Sequence, residues 1–139
     1  MSICCPSHSL AVELRVRYAE CDPQNLAHHS AYAVWFELAR TEWLRRLGLP
    51  YRQLECQGIR FVVARLEVRF RQPARYDDVL SVGVRMRLLR GPKLDHAYSV
   101  HRGRALVATG STTLVCVGDQ DRLQPVPGQV LERLQAVGS

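Results

Sequence analysis

The chain has 139 residues, 47% hydrophobic and 23% charged, with a formal net charge of +6. That length suits one domain with a real core and is short for two. No apolar run approaches the ~20 residues that cross a bilayer, and MSICCPSHSL has neither the basic start nor the apolar centre of a signal peptide; a cytoplasmic protein is expected. Cys4, Cys5, Cys21, Cys56 and Cys116 form no C-x-x-C pair and are odd in number, so free thiols are expected. Arginine outnumbers lysine eighteen to one, a residue choice suited to gripping phosphate through two hydrogen bonds at once. These arginines are scattered, with no dense basic run and no basic-aromatic motif, so nucleic acid is not an expected partner.

Residues 1–11 are expected to be a flexible start, 12–125 a single domain and 126–139 a weakly helical or loose tail. From Val12 to Arg17 apolar and polar residues alternate with the period of a half-buried strand. Asp22-Pro23-Gln24-Asn25 breaks the alternation with turn formers. Ser30 is placed to cap a helix with its hydroxyl. Behind it Tyr32, Phe36, Ala39, Trp43 and Leu47 recur every three or four residues, the apolar stripe of a helix about four to five turns long. Glu42 and Arg46 pair at i,i+4, and Gly48 with Pro50 ends the helix.

The remainder reads as strand. From Arg60 to Arg71, Val62, Ala64, Leu66, Val68 and Phe70 alternate with charged residues. Val82, Val84, Met86 and Leu88 form the next inward set, and Leu94, His96, Tyr98 and Val100 the one after. Turns are expected at residues 91–93 and at Arg102-Gly103. In ALVATGSTTLVCV, Ala108, Gly110 and Thr112 share a face whose small side chains let a helix lie close. One strand, one helix and four strands with tight connections predict an α+β fold, a long helix packed on a curved antiparallel sheet of about five strands.

Ionisable groups crowd into YAECDPQNLAHHSAYAVWFELAR, residues 18–40. Asp22 lies between strand and helix, where a rigid scaffold displays functional groups. Two uses are open to it there: a carboxylate in a reaction centre, or an Asx-turn with Pro23-Gln24-Asn25. Tyr18 precedes it by four residues, and a buried sheet tyrosine is the plainer reading of that position. His29 stands where it can meet a substrate or orient Asp22, with His28 turned elsewhere. Cys21 has no partner that would activate it and is read as a packing residue. Asp22, His28 and His29 lack a third ligand at regular spacing, so no metal is expected. Nucleophile elbow, phosphate loop and dinucleotide fingerprint are all absent.

The pattern Y-x-E-x-D, then H-H-S-x-Y-x-x-W-F-E-x-A-R, resembles the start of hotdog-fold acyl-CoA thioesterases. The likeness is to the 4-hydroxybenzoyl-CoA thioesterase superfamily and, within it, the YbgC-like branch. It continues through FVVARLEVRFRQPARYDDVLSV and covers roughly residues 12–118. The resemblance implies a catalytic carboxylate at Asp22 and active-site roles for Tyr18 and His29. The family usually has glycine at Asn25 and often asparagine at Ala31; Asn tolerates a left-handed backbone, so the turn can survive. Asn25, Ser30, Ala31 and Arg65 are the expected substrate contacts, with Arg60, Arg90 and Arg102 as further candidates for phosphate. Glu37 is catalytic in another branch and is expected here to pair with an arginine such as Arg40. Retention of His29 favours an aliphatic or short acyl group.

The chemistry is coherent in itself. A thiolate leaves readily, since thiol pKa values lie near 8.5. Hydrolysis then needs water activation or direct carboxylate attack, and an oxyanion stabiliser, which backbone N–H groups around His29 to Ala31 would supply. No cofactor is expected, coenzyme A being part of the substrate. The resemblance also implies a homodimer or homotetramer with the site at a subunit interface. Alternatives are a hydrolase of acyl-carrier-protein or aromatic acyl-CoA thioesters, and a non-catalytic acyl-thioester binding module.

Overall fold

A computed structural model describes residues 2–3 and 9–138; Cys4 and Cys5 lie outside the described residues. The elements are β1 (Ser2–Ile3), β2 (Ser9–Arg15), a 3-10 turn (Tyr18–Glu20), α1 (His29–Arg46), α2 (Tyr51–Cys56), β3 (Arg60–Phe70), β4 (Val79–Arg90), β5 (Lys93–Arg102), β6 (Ala105–Val117), a second 3-10 turn (Asp119–Asp121) and α3 (Gly128–Gly138). The strands make one antiparallel sheet in the order β4-β5-β6-β3, with β1 and β2 both pairing the outer side of β4. The expected α+β architecture, one long helix on a curved sheet, is what forms.

The stripe on α1 builds the core. Tyr32, Phe36, Ala39, Trp43 and Leu47 are all buried against Val82, Val84 and Met86 of β4 and Leu94, Tyr98 and Val100 of β5. Each large apolar side chain so buried contributes about 1.5–3 kcal/mol. Phe36 stacks on Tyr98 with ring centroids 4.2 Å apart and planes 8° from parallel. That stack sits over Gly110, where an added Cβ would stand 2.4 Å from the Phe36 ring and 2.8 Å from the Glu67 carbonyl oxygen. The small-residue face of β6 therefore admits the helix as expected. After Arg46 the chain leaves α1 through Gly48 at φ +77, a backbone region open to glycine at little cost. Glu42 pairs with Arg46 at 3.8 Å and also with Arg45.

Several elements depart from expectation. β2 begins at Ser9, three residues before the alternation was read. A bulge at Ala64 in β3 breaks the register between Val63 and Arg65. An extra residue flips side-chain parity. Phe61 and Val63 consequently pair with inward-facing Cys116 and Leu114, and Leu66 and Val68 with Thr112 and Gly110, leaving Val62 on the opposite face. A second bulge, between Met86 and Leu88, buries Leu89 in place of Leu88. The tail is a helix, α3, because Val130 and Leu134, one turn apart, dock into the core beside Val126.

β3 is the outer strand on its side of the sheet, and its apolar side chains are open. Val62, Val63, Leu66 and Phe70 are 47%, 47%, 45% and 53% exposed. No described helix is long and apolar enough to cross a membrane.

Candidate active site

Asp22 sits in a loop clamped at both ends. Ahead of it, the Glu20 carboxylate accepts from the Arg17 backbone N–H at 2.8 Å and from the indole N–H of buried Trp35 at 2.8 Å. The Glu20 carbonyl accepts the His28 N–H at 2.7 Å. Within the loop Cys21 bridges Ala27, and the Asp22 N–H donates to the Leu26 carbonyl at 2.8 Å. Ala27 then donates to the carbonyl of Ala74, and Leu26 bridges Arg75, fastening the loop to the segment that follows β3. Asn25 carries the reversal at φ 65, as its tolerance of that region leads one to expect.

The two oxygens of Asp22 differ in what they hold. Oδ1 accepts from the backbone N–H groups of Gln24 at 2.8 Å and Leu26 at 3.1 Å, an Asx-turn. Among the described residues Oδ2 has no hydrogen bond. Asp22 lines a cavity of ≈ 360 Å³ together with His29 and Tyr32 of α1, Phe70 of β3, and Gln72 and Pro73. Asp22 and His29 are thus brought together, as expected. Tyr32 and Phe70, 4.9 Å apart and edge-to-face, form the apolar wall. Burial pushes the Tyr32 phenol above its usual pKa, so it stays a neutral hydroxyl.

The helix start differs from expectation. His28, not Ser30, is the N-cap: its Nδ1 accepts from the Ser30 N–H at 3.2 Å and lies 2.8 Å from the Ser30 hydroxyl. His28 is extended, at φ −66 and ψ 147, and its own N–H is given to the Glu20 carbonyl. With Ser30 N–H on His28 Nδ1 and Ala31 N–H on the His28 carbonyl, the first helical N–H left without a partner among the described residues is that of His29. Unspent N–H groups at a helix start carry the positive end of its dipole.

The other expected contacts are not among the residues that line this cavity. Tyr18 is 78% exposed in the 3-10 turn, not buried in a sheet, and packs edge-on against Tyr76 with centroids 5.7 Å apart. Asn25 and Ser30 are exposed, and Ala31 turns its methyl into the core. Arg65 pairs with Glu67 at 2.8 Å on the outer strand. Arg102 is tied to Asp78 at 3.0 Å, the Pro73 carbonyl and Gln72, and Arg60 pairs with Asp121. Glu37 makes no ion pair with Arg40; the Arg40 guanidinium instead donates to the Tyr98 hydroxyl at 3.0 Å. Cys21 is half-buried, and that burial, followed by the carboxylates of Glu20, Asp22 and Asp78, raises its thiol pKa. No cluster of three or more metal-ligating side chains occurs among the described residues.

Glu20, Tyr32 and Phe70 are the site residues that sequence reasoning passed over. Tyr32 belonged to the helix stripe and Phe70 to a strand alternation, so packing explained each fully. Glu20 offered one signal: its fixed place two residues before the candidate carboxylate.

Residues 16–134 match the family described as the thioesterase-like superfamily. The acyl-CoA thioester hydrolase YbgC of Escherichia coli O157:H7 is 28% identical over 112 residues, covering 81% of this chain and 84% of that protein. Among solved structures, the DHNA-CoA thioesterase of Staphylococcus aureus superposes with a TM-score of 0.88 at 28% identity, covering 93% of this chain and 90% of that one. A thioesterase of Thermus thermophilus, complexed with coenzyme A and Zn, superposes with a TM-score of 0.80 at 30% identity and 92% coverage of both chains. A family match running from Val16, just after β2, into the C-terminal helix, on the sheet and helix described above, places this chain in the thioesterase-like superfamily with the hotdog fold.

Proposed function

We propose that this protein hydrolyses acyl-CoA thioesters, with Asp22 as the attacking or water-activating carboxylate. The observation that carries the reading is at Asp22: Oδ1 holds the loop, Oδ2 has no hydrogen bond among the described residues, and the residue lines a cavity together with His29. A thioester carbonyl seated there would have a carboxylate oxygen on one side. The unpartnered His29 N–H and the positive end of α1 would lie on the other. Water activated by Asp22 adds to the carbonyl, the oxyanion is held at the helix start, and its collapse expels the thiolate. Direct attack by Oδ2 would instead give a mixed anhydride that water cleaves. The His29 imidazole lies within the same cavity to contact the acyl carbonyl.

The open edge of β3, with Val62, Val63, Leu66 and Phe70 exposed along it, supports a homodimer joined through that strand. In such a dimer Tyr18 and Arg65, remote from the cavity within one chain, would serve the neighbouring subunit's substrate, Arg65 meeting a coenzyme A phosphate. The aromatic wall of Tyr32 and Phe70 favours a second acyl class, aromatic groups, alongside the short aliphatic ones that His29 suggests. A carrier-protein thioester would offer the same carbonyl chemistry to the basic surface.

Thiol release is the test, from acetyl- through palmitoyl-CoA plus benzoyl- and 4-hydroxybenzoyl-CoA, for wild type and Asp22→Asn side by side. The variant keeps an acceptor for the Asx-turn and is expected to lose on the order of 10²-fold or more. Near-normal turnover by a folded Asp22→Asn protein would sink the mechanism.

A further inference from the structure

A second cavity, of ≈ 220 Å³, lies beneath the middle of α1, walled by Glu37, Arg40 and Thr41 of the helix, Tyr51, Phe61 of β3 and His96 of β5. Its chemistry is not that of a packing void. The half-buried Arg40 guanidinium reaches the Tyr98 hydroxyl, itself 2.7 Å from Thr112 Oγ1, and no acidic side chain pairs with it among the described residues. His96 is 0% exposed, edge-on to Trp43, and neither ring nitrogen has a hydrogen-bond partner among the described residues. Burial, and secondarily the Arg40 charge, lower its pKa to about 3. The imidazole is therefore neutral, with one donor and one acceptor nitrogen both unspent. A buried polar ring left unpaired is costly, so its presence calls for an explanation. Glu37 stands at the exposed rim, where water screens its charge.

This cavity shares both long walls with the one at Asp22. His29 and Tyr32 of α1 face Phe70 at the first cavity, and Arg40 and Thr41 face Phe61 at the second, so helix and strand run in opposite senses along one seam. The backbone of α1 packs closest to β2 and β4, which leaves this flank the looser one. From His29 to Arg40 the helix advances ~16 Å at 1.5 Å per residue, and helical side chains lean back toward the N-terminus, bringing the guanidinium nearer the first cavity.

We propose that the acyl chain of the substrate runs along this seam and that the second cavity receives an oxygen function at its far end, a hydroxyl or a carboxylate, gripped by Arg40 and His96. The proposal rests on the reading of Asp22 as the reacting carboxylate and narrows the substrate class to acyl groups with a hydrogen-bonding tail.

The test compares kcat/KM for plain, hydroxyl-terminated and carboxyl-terminated acyl-CoA thioesters of matched length, from hexanoyl to dodecanoyl. An oxygenated end is expected to raise kcat/KM at least tenfold at one or more lengths, and Arg40→Met to bring that ratio close to one. Arg40→Lys, which keeps the charge without the planar fork, retains part of the ratio and stands in if Arg40→Met does not fold. Equal wild-type values for all three ends at every length overturn the proposal while leaving hydrolysis standing. If no thioester is hydrolysed, the reading of Asp22 falls, and calorimetric titration of the same thioesters into the wild-type protein decides the tail. Tighter binding of oxygenated ends that is lost in Arg40→Met then supports it, and equal or undetectable binding overturns it.

Discussion

The joint between Glu20 and Trp35 is where the site is fastened to the core, and it can be measured. The Glu20 side chain is only 8% exposed and its Oε2 takes the indole proton of Trp35, a residue 2% exposed, at 2.8 Å. Replacing Glu20 with Ala leaves that indole N–H buried and unpaired, at about 1–3 kcal/mol, and removes the acceptor that caps the 3-10 turn, worth about 1 kcal/mol. A total of about 2–4 kcal/mol lowers Tm by roughly 6–12 °C in a domain of this size. Trp35→Phe removes only the donor. The coupling from urea denaturation of wild type, both single variants and the double variant should be about 1.5–3 kcal/mol, the range for a hydrogen bond to a charged group. In parallel, Glu20→Ala should lower kcat more than it raises KM, because the Asp22 loop loosens while the cavity walls stay. Additive single effects, with coupling below about 0.5 kcal/mol, would show that this bond does not hold the loop.

Gly110→Ala should destabilise by about 1–3 kcal/mol, because the new methyl meets the Phe36 ring and a backbone oxygen at once; an unchanged urea midpoint would contradict the close approach of α1. His96 has its pKa depressed to about 3 from 6.5, so between those values the unfolded chain binds a proton that the native one refuses. Stability should therefore fall with pH across that window, by about 2–3 kcal/mol from pH 7 to 4.5, and His96→Leu should flatten that part of the profile. Leu66→Glu on the outer strand should shift sedimentation from dimer toward monomer and lower activity, whereas unaltered sedimentation would remove β3 as the joining edge.

Much of the scaffold was legible because period and burial agree. The α1 stripe and the β5 alternation through Leu94, His96, Tyr98 and Val100 need nothing beyond spacing, and Gly110 marked the helix contact. The bulges were hidden, since one additional residue at Ala64 or beside Leu88-Leu89 changes parity without changing composition. Which of His28 and Ser30 would cap was undecidable locally; in the structure His28 Nδ1 takes the Ser30 N–H, and the Glu20 carbonyl anchors His28 by taking its own N–H. The expected Glu37–Arg40 pair failed for a similar reason, as Tyr98 comes from a strand far along the chain. At Asp22 the two local readings were posed as rivals; Oδ1 makes the Asx-turn, and Oδ2 has no hydrogen bond among the described residues, which leaves it for the role proposed above.

That partition has a consequence for how this scaffold can change. The loop asks Asp22 for one acceptor at a fixed reach, which a carboxamide satisfies as well as a carboxylate, while a longer side chain would misplace it. On the role proposed for Asp22, a single-base step to asparagine would separate fold from reactivity at one atom. A lineage carrying that step would keep its loop, cavity and helix start and still cradle an acyl thioester it no longer cleaves. On that role, a binding module and a hydrolase built on this chain would stand one exchange of oxygen for nitrogen apart.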